Sequence, residues 1–186
     1  MFKQSMEMLK KTKNLAILGI LIAMKIVVNA SYIPLSESLR IKFVFLFNAV
    51  EGAIFGPAGA LISGFLTDII AYMINPAGAF FIGYTISTML RGLVWALGLY
   101  QKKITVVRLV ICKIINNVFI SAILSSVWTT MLYSKGYIYY VTSSLIKNIT
   151  LLPFEIILLV LFMNMMLPIL NRYHLIAPQE GKIPLK

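Results

Sequence analysis

Six ionisable side chains lie inside long apolar stretches of this chain, and their chemistry is the strongest constraint on its function. Three are basic and three are acidic: Lys25, Glu51, Asp68, Arg91, Lys113 and Glu155. A charge inside a membrane costs free energy, so each is expected either to pair within the protein or to contact a ligand. Both alternatives stay open for Glu51 and Arg91. Lys113 is expected to extend its aliphatic stem to the nearby cytoplasmic face.

Polar and aromatic side chains near the outer ends of these stretches complete a candidate small-molecule site. Tyr84 and Trp128 each stand among small or polar neighbours, which favours a ligand contact over a place in an interfacial aromatic belt. Four amides able to read the edge of a heterocycle lie in the same stretches: Asn48, Asn116, Asn117 and Asn148. A pocket built in this way buries most of a small organic ligand and fixes it with a few polar groups.

Long apolar segments must position these side chains. The chain has 186 residues, of which 60% are hydrophobic and 12% charged, about half the charge of a soluble domain. This composition indicates an all-α polytopic membrane protein, a single integral membrane domain over residues 1–186. The sequence predicts six transmembrane helices, at about 15–32, 41–56, 58–75, 80–100, 105–132 and 144–170. Because the second and third are the shortest, five helices is the alternative count.

The charge distribution predicts the orientation of the chain. Six spans place both termini on one side, which then holds most of the basic residues: Lys3, Lys10, Lys11, Lys13, Lys102, Lys103, Arg108, Arg172, Lys182 and Lys186. Because basic residues concentrate in cytoplasmic loops, both termini are expected in the cytoplasm. The net charge of +11 is therefore an orientation signal and does not indicate a nucleic-acid binder.

The sequence lacks the residue patterns that ATP hydrolysis, metal binding and Ser–His hydrolysis require. No G-x-x-x-x-G-K-[ST] loop is present, so the chain is not expected to hydrolyse ATP by that route. The single histidine, His174, and the single cysteine, Cys112, make a metal site or a Ser–His hydrolase improbable and exclude a disulfide scaffold. We therefore expect no enzyme, no cofactor and no bound metal.

Two pairs of small residues at helical spacing mark helix-packing faces. They are Gly19-x-x-x-Ala23 in the first segment and Gly52-x-x-x-Gly56 in the second. Such pairs let helix backbones approach closely. Either they pack within this chain, or the first segment docks another membrane protein.

At this point the order and spacing of several motifs match a known family. The matching residues are Ile33-Pro34-Leu35, Leu39-Arg40-Ile41, Phe55-Gly56-Pro57-Ala58-Gly59-Ala60, Gly64-x-x-x-Asp68, Gly83-Tyr84-Thr85-Ile86-Ser87, Leu132-Tyr133-Ser134-Lys135-Gly136, and Leu145-Ile146-Lys147-Asn148 through Leu152-Pro153. Over nearly its whole length the chain resembles the folate-type S-components, the substrate-binding membrane subunits of energy-coupling-factor (ECF) vitamin transporters.

The resemblance implies a function as well as a fold. Family members are bundles of six helices in the bacterial cytoplasmic membrane, with cytoplasmic termini, that bind a vitamin from outside. They deliver it together with a transmembrane coupling subunit and two cytoplasmic ATPases. A small-residue face on the first helix is the family's contact with the coupling subunit, which assigns docking to Gly19 and Ala23.

The expected ligand of this monomeric subunit is folate or a close pterin. Tyr84 and Trp128 are predicted to sandwich the pteridine ring, while its amino-pyrimidine edge contacts Asp68, Asn48 or Asn148. The glutamate carboxylates of the ligand are expected near the mouth, beside Arg40, Lys42 or Lys147, and Glu51 and Arg91 complete the candidate set. The segments 33–40 and 75–80 are the expected gates.

Alternative ligands and one alternative mechanism stay open at this stage. The same architecture could hold pantothenate, a pyridoxine-like ring or a hydroxymethylpyrimidine. The alternative mechanism is a stand-alone ion-coupled carrier, which usually contains internal repeats; the sequence has none that we recognise.

Overall fold

The computed structural model describes residues 1–30, 32–34, 40–76, 80–133, 136–179 and 183–185, without the side chains of 30, 32–34 and 40–42. In chain order its elements are α1 (Phe2–Leu9), α2 (Thr12–Ala30), β1 (Tyr32–Pro34), β2 (Arg40–Lys42), α3 (Val44–Ile74), α4 (Ile82–Leu99), α5 (Val106–Ile115), a π-helix (Asn116–Leu124), α6 (Ser125–Leu132) and α7 (Tyr137–Arg172). β1 and β2 form a short antiparallel ribbon in which Ile33 lies opposite Ile41. Helices make up the rest of this regular structure, so the predicted all-α class is confirmed.

The long helices correspond to the predicted apolar segments. Among the described residues, five helical stretches are long and apolar enough to cross a membrane: Thr12–Asn29, Val44–Ile74, Ile82–Leu99, Val106–Leu132 and Tyr137–Arg172. The second stretch covers two predicted helices, 41–56 and 58–75. The number of membrane crossings stays a prediction.

A sharp bend divides α3 into two arms, residues 44–55 and 57–74. Gly56, at φ 67° and ψ −163°, is outside the helical region, and Pro57 follows it. The Ser63 hydroxyl lies 2.8 Å from a carboxylate oxygen of Glu51. In a straight helix these residues, twelve apart, would be separated by about 18 Å along the axis. The chain therefore folds back at Gly56, between the predicted helices 41–56 and 58–75.

Helix α4 packs against both arms of α3, and this is the most extensive contact between elements. Glycines allow the approach. A Cβ atom on Gly52 would lie 2.7 Å from the Ala96 backbone nitrogen, and one on Gly64 would lie 2.8 Å from the Met89 Cα. Close packing of backbones in this way is typical of helices in membranes. The small-residue pair beginning at Gly52 therefore packs within the chain.

The structure contains one helix that the sequence does not predict, and two helix boundaries differ from the predicted ones. α1 was not predicted, because its eight residues are too few to cross a membrane. The first long helix ends at Ala30, and the chain then enters β1. α7 begins at Tyr137, seven residues before the predicted start at 144. Gly136 before it has an extended backbone, and the aromatic run 137–140 forms the first turn of α7.

Four parts of the chain lie at the same end of the bundle: α1, the bend in α3, the end of α4 and the start of α5. The Tyr100 hydroxyl donates to the Met8 sulfur at 3.5 Å, and the Lys13 ammonium lies 5.9 Å from the centroid of the Tyr173 ring. We call this the basic end, because it holds Lys3, Lys10, Lys11, Lys13, Lys102, Lys103, Arg108 and Arg172.

Candidate functional site

A cavity of about 470 Å³ lies between α3, α4, α5, the π-helix and α7. Its size falls within the range of small-molecule sites. Five of the lining residues are acidic or basic: Asp68, Arg91, Lys113, Lys147 and Glu155. The neutral polar lining residues are Asn29, Asn48, Thr67, Thr88, Asn116, Asn117, Ser121, Ser144 and Asn148, and the aromatic ones are Phe45, Tyr84 and Trp95. With three basic and two acidic groups, the wall favours an anionic ligand.

The cavity brings together most of the residues predicted from the sequence. The predicted residues that line it are Asn48, Asp68, Tyr84, Arg91, Lys147 and Asn148. They come from both arms of α3, from α4 and from α7, so only the folded bundle places them around one space. Arg40 lies in β2, and its side chain is outside the described part of the structure, as is that of Lys42.

The Arg91 guanidinium, in the cavity wall, has an N–H donor that no described residue accepts from. One of its terminal nitrogens, Nη2, donates to the Ser125 hydroxyl at 3.1 Å, while Nε is buried and has no hydrogen-bond partner in the described structure. Within the described residues its guanidinium makes no ion pair shorter than 4.0 Å. Buried polar groups are almost always hydrogen-bonded, so a partner from a ligand or from water is expected.

Asp68 lies where the cavity meets a second, outer space. The outer space has a volume of about 320 Å³ and shares Asn29, Asp68 and Tyr84 with the cavity. The Asp68 carboxylate accepts from the Thr85 hydroxyl at 2.7 Å and from the Thr88 hydroxyl at 3.2 Å. Each carboxylate oxygen has two lone pairs, so both can still accept from a ligand.

The outer space has an aromatic wall on the side away from the basic end. The Tyr72 and Phe80 rings meet at 5.1 Å between centroids, and Phe81 and Tyr84 meet edge to face at 6.3 Å. Tyr133 lines the same space. Of the predicted gating segments, residues 35–39 and 77–79 lie outside the described residues.

Lys113 was predicted to reach the membrane surface, and the structure corrects this. Its side chain is 4% exposed, and its ammonium lies 3.0 Å from a carboxylate oxygen of Glu155 and 3.7 Å from the centroid of the Phe45 ring. Asn117 donates to the same Glu155 oxygen at 3.1 Å. An acidic partner and an aromatic face at the cavity hold the ammonium in place, so it has no need to extend to the surface.

The π-helix supplies a part of the site of which the sequence analysis names Asn116 and Asn117 but not Ser121. It places Asn116, Asn117 and Ser121 on the cavity wall. The Asn116 side-chain oxygen and the Thr67 hydroxyl on the opposite wall have no hydrogen-bond partner in the described structure. Wide π-type turns inside α-helices are frequent at functional sites. The signal in the sequence was the Asn-Asn pair within an apolar run.

Two predicted site residues lie away from the cavity. Trp128 packs behind Gly83, where a Cβ atom would come 2.5 Å from its indole ring, and its ring nitrogen donates to the Ser87 hydroxyl at 3.1 Å. Its pairing with Tyr84 across a ligand stays a prediction, and Trp128 is not among the residues that line the cavity. Glu51 is 1% exposed and forms an ion pair of 2.6 Å with Lys25, so it belongs to the structural alternative.

The predicted docking face on α2 is open. Gly19 and Ala23 are both exposed, and a Cβ atom on Gly19 would meet nothing within 4 Å in the described structure. Neighbouring apolar side chains are exposed as well, including Ile20 at 60% and Val27 at 67%. This face therefore differs from the pair at Gly52, which packs against α4.

Metal binding has no obvious site in the described residues. No three His, Cys, Asp or Glu side chains come together there in a group that could hold an ion.

Comparison with known proteins points to one family. The profile of the family "ECF transporter, substrate-specific component" matches residues 13–170. A folate transporter FolT from Clostridium novyi (strain NT) is 27% identical over 151 residues, which cover 81% of this chain and 88% of the relative. A folate transporter FolT from Leuconostoc mesenteroides is 25% identical over 156 residues, covering 78% and 81%. A crystal structure of FolT bound with folic acid is similar at a TM-score of 0.72 and 26% identity, covering 80% of this chain and 91% of that one.

Proposed function

The chain belongs to the substrate-specific components of ECF transporters, and on this premise we propose that it is the folate-binding membrane subunit of such an importer. The relatives named as folate transporters support folate as the ligand, as does the fold shared with the FolT that holds folic acid. The observation that carries the proposal is the cavity itself. In its wall, Arg91 Nε has no hydrogen-bond partner within the described residues, and the Asp68 carboxylate can accept further hydrogen bonds.

The chemistry of folate fits these two groups. Its pterin ring carries two neighbouring donors, an amino group and a ring N–H, next to a carbonyl oxygen. A carboxylate that accepts two parallel hydrogen bonds suits the donor pair, which assigns Asp68 to that edge. The Nε of Arg91 then donates to the carbonyl oxygen. Asn48 and Asn148, which also line the cavity, are the remaining amides within reach of the ring.

The acidic tail of folate needs a basic partner. Lys147 lines the cavity on α7, and the sequence prediction adds Arg40 and Lys42 for the same role. Tyr84, at the junction of the two spaces, supplies one aromatic face for the ring system. Phe45 and Trp95 are the aromatic residues available in place of Trp128.

A ligand panel on the purified protein tests the assignment of folate. Titrations of folic acid, p-aminobenzoylglutamate, pantothenate and pyridoxine are followed by calorimetry. We expect folic acid to bind at least about tenfold more tightly than p-aminobenzoylglutamate, which lacks the pterin. Preferential binding of pantothenate or pyridoxine, with no folate binding, would overturn the assignment while leaving the family intact.

A variant then tests the assigned contact. Asp68→Asn is expected to weaken folic acid binding by about 2 kcal/mol, close to thirtyfold, because a charge-assisted hydrogen-bond pair is lost. Binding of p-aminobenzoylglutamate should be unaffected by the same change. Equal losses for both ligands would return Asp68 to a structural role with Thr85 and Thr88.

Delivery of the ligand needs other chains. We infer that a transmembrane coupling subunit docks on α2 at Gly19 and Ala23, and that two cytoplasmic ATPases supply the energy. The exposure of this face supports the inference. Gly19→Leu should abolish co-purification with the coupling subunit and leave folic acid binding unchanged; retained co-purification would contradict it.

The basic end is inferred to face the cytoplasm, with both termini on that side. The concentration of lysine and arginine there supports this orientation. Labelling of single cysteines placed at residue 3 and at residue 75, in a Cys112→Ser background, tests it in intact cells. A membrane-impermeant reagent should modify only the second position, and modification of the first would reverse the assignment.

A further inference from the structure

The short helix α1 has three sides, and the first faces the protein. Ser5 is fully buried. Its hydroxyl donates to the Phe55 carbonyl oxygen and accepts from the Ala58 backbone N–H at 3.0 Å. These contacts satisfy polar groups at the bend of α3, and they fix both the position and the rotation of α1 at the basic end.

The second side of α1 is apolar and uncovered in the described structure. Phe2 is 51% exposed and Met6 is 50% exposed. Residues four apart lie on the same strip of a helix, so the two side chains form one apolar ridge. The third side carries Lys3, Gln4 and Glu7, all exposed. α1 therefore has one side packed on the protein, one exposed apolar side and one exposed polar side.

Basic residues surround the apolar ridge. Lys3 lies between Phe2 and Met6 in the sequence, and Lys10, Lys11 and Lys13 follow Met6; all four are exposed. α2 begins one turn later and carries exposed apolar residues along its length, starting with Leu15 at 57%. An amphipathic helix with lysines on its polar edge, next to a membrane-spanning helix, is typical of segments that lie in a membrane interface.

We propose that α1 lies in the plane of the bilayer at the basic end, with Phe2 and Met6 in lipid and the nearby lysines bound to anionic phospholipid headgroups. The lysines near Phe2 and Met6 favour anionic lipid over neutral lipid as the partner, because clustered lysines are attracted to negatively charged headgroups. Removing the positive charge of these lysines would release α1 from the headgroups. Through Ser5, this lipid contact also holds the bend of α3 in place. The proposal does not depend on the identity of the ligand.

Matched tryptophan reporters test the position of α1 in the full-length protein. Phe2→Trp and Gln4→Trp are each reconstituted into vesicles of phosphatidylcholine mixed equally with phosphatidylglycerol, and the wild-type emission is subtracted. The Phe2→Trp signal should be quenched by lipids brominated on their acyl chains and protected from aqueous acrylamide. The Gln4→Trp signal should behave in the opposite way.

Two outcomes would overturn this position. One is equal acrylamide quenching of both reporters, which would place the ridge in water. The other is a Phe2→Trp signal that becomes protected only after the coupling subunit and ATPases are added, which would make a protein the partner. Circular dichroism and retained folic acid binding identify any variant that fails to fold.

A charge test addresses the lipid class. In the Phe2→Trp background, quenching by brominated lipid should be stronger in vesicles with phosphatidylglycerol than in phosphatidylcholine alone. Changing Lys3, Lys10 and Lys11 to Gln should abolish that difference. The control, Lys102→Gln with Lys103→Gln, removes charges from the same end outside α1 and should preserve it. Equal quenching in both vesicle types would overturn the headgroup contact.

Discussion

Two lysine–glutamate pairs lie within the membrane-spanning bundle, and they differ in what surrounds them. Lys25 and Glu51 meet at 2.6 Å with side chains that are each 2% exposed. Lys113 and Glu155 meet at 3.0 Å with side chains 4% and 11% exposed. The residue types are the same, so the difference in role must come from their neighbours.

The first pair is closed by protein groups. The Lys25 ammonium lies 2.5 Å from the Ser63 hydroxyl, which donates to Glu51 at 2.8 Å, and 3.4 Å from the Asn48 side-chain oxygen. Lys25 belongs to α2, Glu51 to the first arm of α3 and Ser63 to the second. This pair therefore ties three helical segments together. Neither of its residues lines the cavity, but Asn48, which contacts Lys25, does.

The second pair opens on the cavity. Both of its residues line that space, and Lys113 also lies over the Phe45 ring. A ligand can therefore change the surroundings of this pair directly. The comparison teaches that a charge within a membrane indicates importance, whereas its solvation and partners decide between a structural and a binding role.

Breaking the closed pair should have the largest effect. Glu51→Ala leaves the Lys25 ammonium buried without its carboxylate, which costs about 3–5 kcal/mol of unfolding free energy. Thermal unfolding in detergent should show a large loss of stability. The double variant Lys25→Met with Glu51→Leu should recover most of it, because no unpaired charge remains. A double variant as unstable as the single one would contradict a purely structural pair.

Arg91 has no ion pair within the described residues, so it tests whether such a cation matters more to ligand binding than a paired one. Arg91→Ala should weaken folic acid binding at least tenfold, about 1.4 kcal/mol, because the Nε donor to the ligand is lost. Calorimetry measures the affinity, and the unfolding temperature of the empty protein serves as the control. Unchanged affinity with a lower unfolding temperature would make Arg91 structural, held by Ser125.

The open pair should tune affinity in two directions. Lys113→Gln removes a positive charge from the cavity wall and should weaken binding of the anionic ligand by about fivefold. Glu155→Gln removes a negative charge, keeps a group that can bind Asn117, and should strengthen binding by a similar factor. Both effects should persist at high salt, because buried charges are screened much less than exposed ones. Changes of the same sign in both variants would mean that loss of the pair's geometry dominates.

Much of the fold follows from local signals in the sequence. The apolar segments are long, and Gly56-Pro57 marks the bend of α3 because few other residue pairs permit its backbone angles. α1 could not be predicted in the same way. A helix of eight residues has little stability of its own, and contacts with Phe55 and Ala58, about fifty positions away, hold this one in place.

Most of the residues that form the candidate site could be predicted from the sequence, but the position of Trp128 relative to the cavity could not. Asp68, Tyr84 and Asn148 follow from polar residues in apolar segments. Trp128 does not, because the π-helix before it has bonds from residue i to i+5 and rotates the helix that follows relative to a regular α-helix. Helical periodicity read from the sequence cannot include that rotation. Asn116 and Asn117 differ from Trp128, because they stand three and four residues after Lys113 and regular periodicity already places them on the same side, at the cavity.

The smallest expected effect concerns the hydroxyl at the centre of the closed pair. Ser63 is fully buried and bonds both charged partners, whereas Ser126, 2% exposed, has a hydroxyl with no partner in the described structure. Ser63→Ala should therefore cost about 0.5–1 kcal/mol of unfolding free energy, and Ser126→Ala close to nothing. Neither change should alter folic acid affinity, because neither residue lines the cavity. A loss of affinity in Ser63→Ala alone, at unchanged stability, would mean that the closed pair acts on the ligand through Asn48, and the separation between the two pairs would no longer hold.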